Sequence, residues 1–581
     1  MKHIKSLLIA ALLGTSFTSC NDFLNLDPLN DIVLENFWTN EADVESVLLG
    51  AYSALESSDC LQRMVVWGEM RSDNMVEGSG TGEDIRQILR ENLLTTNSYT
   101  KYNAFYNVIN RANTVLHFSP IVAEKDPNYL VDEVLAHKAE AIALRCLSYW
   151  YLIRTFHDVP YVTEPSIDDE GGHDKFYVPQ SSFEEILDSL INDLESVKMR
   201  ANNKYATETA NVCRITRSTI NAMLADMYLW RGADGDLDKC IACCEEVTAQ
   251  KMLDYEKLKN KQGKNCTVAL FNGYPLISDA PSDYGGNSYD EIFGDNYSFE
   301  SLFEFPYNND VKNPFVGTYY QNGRSNGVGQ VKAYENIGSA FGKKDNVFEQ
   351  LTDTRYYQGL LKKGTGSNYA ITKYAYTSLT LRMTDGSLEV YSSGSIPNDI
   401  LSNWIVYRYT EVLLFEAEAY MLKAKALNPS GEDSTAISNT QKQYIDASFN
   451  LIDAVNQRAI LADNTKSKAV TLSVQYDYQN GMSVGTLEDL LFKERRRELM
   501  FEGKRWFDLV RMARRDGNQE RLLRFVQLKY ESSTLAAVKI KLKNPYAMYF
   551  PMAKDEVRNS QGVLKQNPAY KDEDKNEQAS H

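Results

Sequence analysis

Residues able to do chemistry are plentiful in this chain, but their spacing does not assemble a catalytic group. No G-x-S-x-G, H-E-x-x-H or G-x-x-x-x-G-K-[ST] occurs, the spacings that present a serine nucleophile, a zinc pair and a phosphate-cradling backbone. Outside the extreme termini the histidines are His117, His137, His157 and His173, and none form a ligand-like pair. Cys240, Cys243 and Cys244 fall on one helical face, but zinc needs a fourth ligand and no histidine is near. They read as small apolar side chains of a buried face. Asp234, Asp236, Asp238 and Glu245 match four ligand positions of a calcium loop, yet Lys239 stands where the loop's sharp turn needs glycine. The alternative is a turn followed by acids favoured at a helix N-terminus. Glu411, Glu418, Arg495 and Glu498 place carboxylates among cations, with nothing beyond charge to mark a perturbed pKa. No cofactor or metal is expected.

The inventory for binding is richer. Residues 271–334 hold eight Tyr, eight Asn and eight Gly without sustained helical periodicity. Long loops inside a compact protein are commonly functional, and so many rings argue against disorder. Tyrosine offers a rigid ring, and amides and Arg offer directed hydrogen bonds. A sugar, with apolar C–H faces and polar edges, needs that combination. The candidates here are Tyr284, Tyr289, Tyr297, Tyr319, Tyr320, Asn322 and Arg324, and a second set comprises Trp67, Arg71, Asp73, Asn74, Tyr99, Tyr102 and Asn103. Ligand is expected between residues 271–334 and 67–103. Asn103, Asn107 and Asn110 share a helix face, where structural hydrogen bonding is the expected use.

The N-terminus reads as an export signal with a lipid attachment site. Lys2, His3 and Lys5 precede the short apolar run Leu7–Leu13, and Phe17-Thr18-Ser19-Cys20 looks like a bacterial lipobox. Residues 1–19 are then removed and Cys20 is acylated, anchoring the chain to a membrane by more than one acyl chain. A net charge of −17 argues against a nucleic-acid partner.

The elements that must position these residues are mainly helices. Leu135–Phe156 carries an apolar stripe (Leu135, Ala139, Ile142, Cys146, Trp150, Ile153), with Lys138, Arg145 and Arg154 turned elsewhere. Ile220–Arg231, a turn at Gly232–Gly235 and a helix over Asp236–Gln250 form a tetratricopeptide-type pair. Trp404–Ala426 with Ser448–Leu461 forms another, and such pairs stack into a solenoid. Ser301–Phe305 reads as a strand, and a last long helix spans Thr486–Arg515. The fold class is thus mainly α, a tetratricopeptide-like solenoid interrupted by a large loop-rich region with short strands. After the 1–19 signal come a helical region at 20–270, a loop-rich insertion at 271–402, and a second helical region with tail at 403–581.

Several segments resemble the SusD/RagB family of outer-membrane lipoproteins. Cys20–Leu24 with Asp27-Pro28 is similar to its mature N-terminus, and Phe105–Leu116 to its "Y..I..aN.vl" helix. Glu140-Ala141, Leu144-Arg145, Tyr149 and Asp158-Val159-Pro160 resemble "EArflRa.yy…GdvP", with His157 in place of the usual Gly. Arg408, Glu411–Leu414 and Ala417–Ala419 resemble "R.aEvlL..AEA", and Glu494–Arg511 "ERrrEla.EG.R..DLvR". Tyr549–Tyr570, with Gln566-Asn567-Pro568, is similar to the closing "l.piP…QNpgY". The resemblance implies a surface-exposed lipoprotein that captures oligosaccharide for a SusC-like TonB-dependent transporter and catalyses nothing. A peptide ligand, a protein-binding scaffold and a glycoside hydrolase are the competing readings.

Overall fold

The computed structural model describes residues 37–571 apart from 167–176, 279–283, 286, 322–327, 344–345, 363–367, 376–377, 385–386, 394–399, 429–437, 462–470 and 479–480. The lipid attachment residue Cys20 lies outside the described residues.

Helix α1 (Glu41–Leu55) starts on Asn40, whose side chain accepts the Ala42 N–H at 2.9 Å. Helix α2 (Ser58–Glu69) and strand β1 (Met75–Glu77) follow. Helices α3 (Asn103–Lys125) and α4 (Val131–Phe156) form the first long hairpin, with α1 packed on α3. Strand β2 (Val159–Pro160) pairs with β3 (Gln180–Ser181), and α5 (Phe183–Val197) opens on a reciprocal Ser182–Glu185 cap. The next hairpin is α6 (Arg217–Arg231) and α7 (Asp236–Gln262). Gly232 ends α6 at φ 62°, a left-handed cap that glycine adopts without steric cost. Strands β4 (Ser301–Phe305), β5 (Val331–Ala333) and β6 (Trp404–Arg408) lead to a third hairpin, α8 (Tyr409–Ala426) and α9 (Asn439–Ala459). Helices α10 (Val484–Leu499) and α11 (Arg505–Asp516) close the helical body. Because α7 packs on α8, and α8 on α10, the hairpins stack side by side as the sequence pattern requires.

Three expectations change. Trp404–Arg408 is not helix but a buried strand paired antiparallel with β4, and its Trp-Ile-Val-Tyr run suits a pleated surface better than a helix. Helix α9 begins earlier than Ser448, at Asn439. The long C-terminal helix is two helices, broken by Phe501 at φ 69° and Gly503 at φ 74°. In that break the Glu69 carboxylate accepts the backbone N–H groups of Phe501, Gly503 and Lys504 at 3.1–3.2 Å, doing for α11 what a cap residue does. Turned away from the apolar stripe of α4, Arg145 pairs with Asp193 at 2.8 Å and Arg154 with Asp226 at 3.3 Å.

The candidate catalytic carboxylates are spent on ion pairs. Arg408 bonds Glu498 at 2.7 Å and Glu502 at 2.8 Å, Glu411 bonds Lys504 at 2.9 Å, and Glu418 bonds Arg511 at 2.7 Å. All seven side chains are buried, so each charge depends on its partner. Asp508 and Arg511, three apart in α11, pair at 3.0 Å, while Glu502 and Arg505, also three apart, are separated by the helix break. Cys240, Cys243 and Cys244 are buried in the core. Of the calcium-loop acids, Asp236 accepts from Arg231 and the Ala233 N–H, and Asp238 pairs with Lys423.

Candidate functional site

Two stretches far apart in sequence meet through a short ladder. β1 pairs antiparallel with β5, with Met75 opposite Ala333 and Glu77 opposite Val331. The ladder continues as Gly78 N–H to Gln330 O and Ser79 N–H to Gly329 O, both 2.8 Å. Gly329 is required here, because a Cβ would stand 2.4 Å from the Tyr319 carbonyl oxygen. Thr81 and Gly82 then bond Gln330 at 2.7 and 3.0 Å.

On this frame the structure brings Tyr99 and Tyr319 together. Asn97 caps the turn that carries Tyr99, accepting its N–H at 3.0 Å. Arg63 of α2 fixes the same turn by donating to the carbonyls of Lys101 at 2.6 Å and Ser98 at 3.0 Å. The Tyr99 and Tyr319 hydroxyls bond each other, and Tyr319 donates to Gln62 at 3.1 Å. Phe315 stacks on Tyr319 with centroids 4.4 Å apart and planes 5° from parallel. Burial raises both phenol pKa values, so the pair stays protonated across the physiological range. The residues that flank the pair in sequence, Ser98, Lys101, Asn103 and Thr318, are exposed and give these turns a polar rim, while Tyr99 and Tyr319 themselves are only 7% and 5% exposed. Asp84 accepts from Ser98 at 2.5 Å. Gln321, almost fully buried beside the floor, has neither amide atom hydrogen-bonded among the described residues.

Other sequence candidates belong to the core. Trp67 is fully buried on Phe105 at 5.1 Å and donates to the Tyr99 carbonyl at 2.9 Å. Arg71 is sealed between Glu91, at 2.7 Å, and the carbonyls of Ala547 and Met548, 4.2 Å above the Trp506 ring. Asp73 pairs with Arg505 at 2.9 Å and Arg496 at 3.0 Å, which hold its carboxyl well below the usual carboxylate range against burial. Asn74 bridges Glu69 and Arg496, both at 2.8 Å. Arg71, Asp73 and Asn74 thus weld the N-terminal segment to the C-terminal part of the chain. Tyr320 turns inward to the Phe501 carbonyl at 2.8 Å, and buried Tyr289 bonds the Thr372 carbonyl at 2.8 Å.

The remaining candidates separate. Tyr297, 38% exposed, follows Asn296 in a left-handed turn and lines a different hollow with Lys204 and Lys251. The backbone of Tyr284 pairs with Arg382, and its side chain lies outside the described residues, as do Asn322 and Arg324. Tyr102 points into a separate cleft. Sequence reading missed Gln62, Asp84 and Gln330; a lone polar residue carries no periodic signal, and only the tertiary ladder reveals them.

Comparison with known proteins identifies the family. The SusD family model matches residues 291–570, and a second model, described as starch-binding associating with outer membrane, matches 22–229. The chain belongs to the SusD family. Among SusD-like relatives, protein P38 of Formosa agariphila is 25% identical over 533 residues, covering 88% of this chain and 92% of its own length. P2 of the same organism is 23% identical over 526 residues, covering 88% and 91%. A SusD homolog from Bacteroides thetaiotaomicron superposes with TM-score 0.60 at 18% identity, over 91% of this chain and 98% of that one. A laminarin-binding SusD-like protein gives TM-score 0.56 at 19% identity, over 92% and 100%. These structures share the SusD fold, and the break between α10 and α11 lies inside the matched C-terminal SusD segment.

Proposed function

We propose that this chain is a cell-surface lipoprotein of the outer membrane that binds oligosaccharide at the Tyr99–Tyr319 junction and passes it to a SusC-like TonB-dependent transporter without catalysis. The observation that carries the site is the meeting of the two tyrosine-bearing segments under a polar rim. Family membership supports the carbohydrate, the family model's outer-membrane description supports the location, and the name of one structural neighbour supports a glucan. Cys20 would carry the anchor. The rim residues Ser98 and Asn103 would meet sugar hydroxyls, while the paired phenols give a rigid floor that needs no reordering on binding.

Calorimetry with neutral and acidic oligosaccharides tests the site. Replacing Tyr99 and Tyr319 together by Ala is expected to cost about 1–3 kcal/mol of binding, by analogy with aromatic platforms under other ligands. Circular dichroism monitors the fold, and Tyr297→Ala serves as a remote control. Unchanged affinity in the folded double variant refutes the site.

A further inference from the structure

A cleft of ≈ 730 Å³ opens between the N-terminal half of α3, the segment 160–166 and the short helix Lys554–Asn559. Its volume lies within the roughly 300–1,000 Å³ typical of small-ligand sites. The rings of Tyr102, Tyr106, Tyr161 and Tyr177 line it. Neither Tyr99 nor Tyr319 does, so it is distinct from the junction.

One wall is fixed by internal bonds. Tyr106 donates to the Pro160 carbonyl at 2.6 Å, and Asn113 to the carbonyls of Val162 and Glu164 at 3.2 and 3.3 Å. Arg145 holds Asn113 from behind at 3.0 Å, and Asn110 Oδ1 accepts the Ser166 N–H at 2.7 Å. The groups left over face the opening. The Tyr102 hydroxyl, the Asn110 Nδ2 amide and the side chains of Glu556 and Asn559 have no hydrogen-bond partner among the described residues. For Tyr102 this is notable because only 6% of the residue is exposed. An apolar ligand would seal these groups away from water unpaired, at a cost for each. A ligand with hydroxyls along its edge would satisfy them while its C–H faces meet the rings.

The charge of the lining narrows the class. Among the described residues that line it the carboxylates are Glu164 and Glu556, and none is Lys, Arg or His. Uronic-acid, sulfated and phosphorylated chains would meet repulsion from these two carboxylates. We infer that this cleft is a second carbohydrate site, selective for uncharged sugar chains. The inference rests on the glycan-binding reading above, and adds a site and a ligand class to it.

The mature chain is screened on an array of linear neutral glucans, mannans and xylans beside uronic-acid and sulfated chains, and the neutral glycan bound best is titrated. The cleft variant Tyr102→Phe with Asn559→Ala keeps the ring and alters one exposed side chain, so folding is preserved. It is expected to weaken that neutral glycan by about tenfold, two hydrogen bonds' worth, with little dependence on salt. The junction variant of Tyr99 and Tyr319 keeps the cleft's own binding. If the cleft variant binds like wild type while the junction variant loses affinity, the second site is overturned and glycan binding stands. If the array shows only acidic chains bound, the cleft assignment falls alone. If no glycan binds, both readings fall.

Discussion

Asp73 is the residue on which a ligand-contact role and a structural role differ most. Its carboxylate receives Arg505 Nε at 2.9 Å and Arg505 Nη2 at 3.2 Å, with Arg496 at 3.0 Å, and the three side chains are 1%, 3% and 12% exposed. Asp73→Ala leaves two buried guanidiniums facing each other without their shared counter-ion. Breaking a buried pair in this way costs about 3–5 kcal/mol. The cost falls on stability, because Arg496 belongs to α10 and Arg505 starts α11 while Asp73 precedes β1. The folded-state pKa of Asp73 is depressed, so its contribution is fully present above the unfolded value of about 3.9 and fades as pH falls through the lower folded value. Chemical denaturation at neutral pH is therefore expected to show the variant less stable by that margin, and acidification below about pH 4 to bring the two curves together. Asp59→Ala, which removes a largely exposed partner of Arg63, should shift stability by less than about 1 kcal/mol. A variant as stable as wild type at neutral pH, yet unable to bind glycan, would falsify the structural assignment.

Two further perturbations follow from the same reading. Burial, reinforced by Glu245, pushes the Glu416 carboxyl up to about 8, and its Oε2 has no hydrogen-bond partner among the described residues. The native state thus holds a proton that the unfolded chain releases above about 4.5, and stability from this group is lost as pH rises from there through 8. Glu416→Gln should be close to neutral at pH 4 and stabilising by roughly 2–4 kcal/mol at pH 8, measured by paired denaturant titrations; equal curves at both pH values would sink this account. For the anchor, Cys20→Ala should move the protein from the membrane to the soluble fraction in detergent-free fractionation, and unaltered membrane association would count against lipid attachment.

Hairpin architecture was legible because a helix of twenty-odd residues repeats its signal many times. The stripe on Leu135–Phe156 and the glycine stop at Gly232 each have one local cause. What was not legible depends on distant chain. Trp404–Arg408 has no alternation of its own, since both faces are buried, and continuity with α8 makes it look helical; only pairing with Ser301–Phe305 decides its state. Likewise Glu502-Gly503 sits inside a strong helical pattern. The break is enforced by Glu69, more than four hundred residues away in sequence, and by the approach of α2, where a Cβ on Gly68 would stand 1.9 Å from the Gly503 carbonyl oxygen.

Composition marked a neighbourhood for the proposed site but not its members, and Tyr319 and Tyr320 show why. They are adjacent and identical in type, so no property of the sequence window separates them. In a single helical turn, Val316–Tyr319, successive side chains diverge by about 100°. One ring therefore meets Tyr99 and Gln62 at the junction of the two segments, and the next reaches the Phe501 carbonyl deeper in the core. The same logic divides Tyr99 from Tyr102, three residues on, which leaves the junction for the second cleft. A cluster of tyrosines in a loop-rich segment marks where rings gather. Which of them serve a ligand is set by what holds each hydroxyl. A phenol bonded to a backbone carbonyl, as in Tyr106, Tyr289 and Tyr320, is committed to the fold, whereas Tyr102 has its bond still to make.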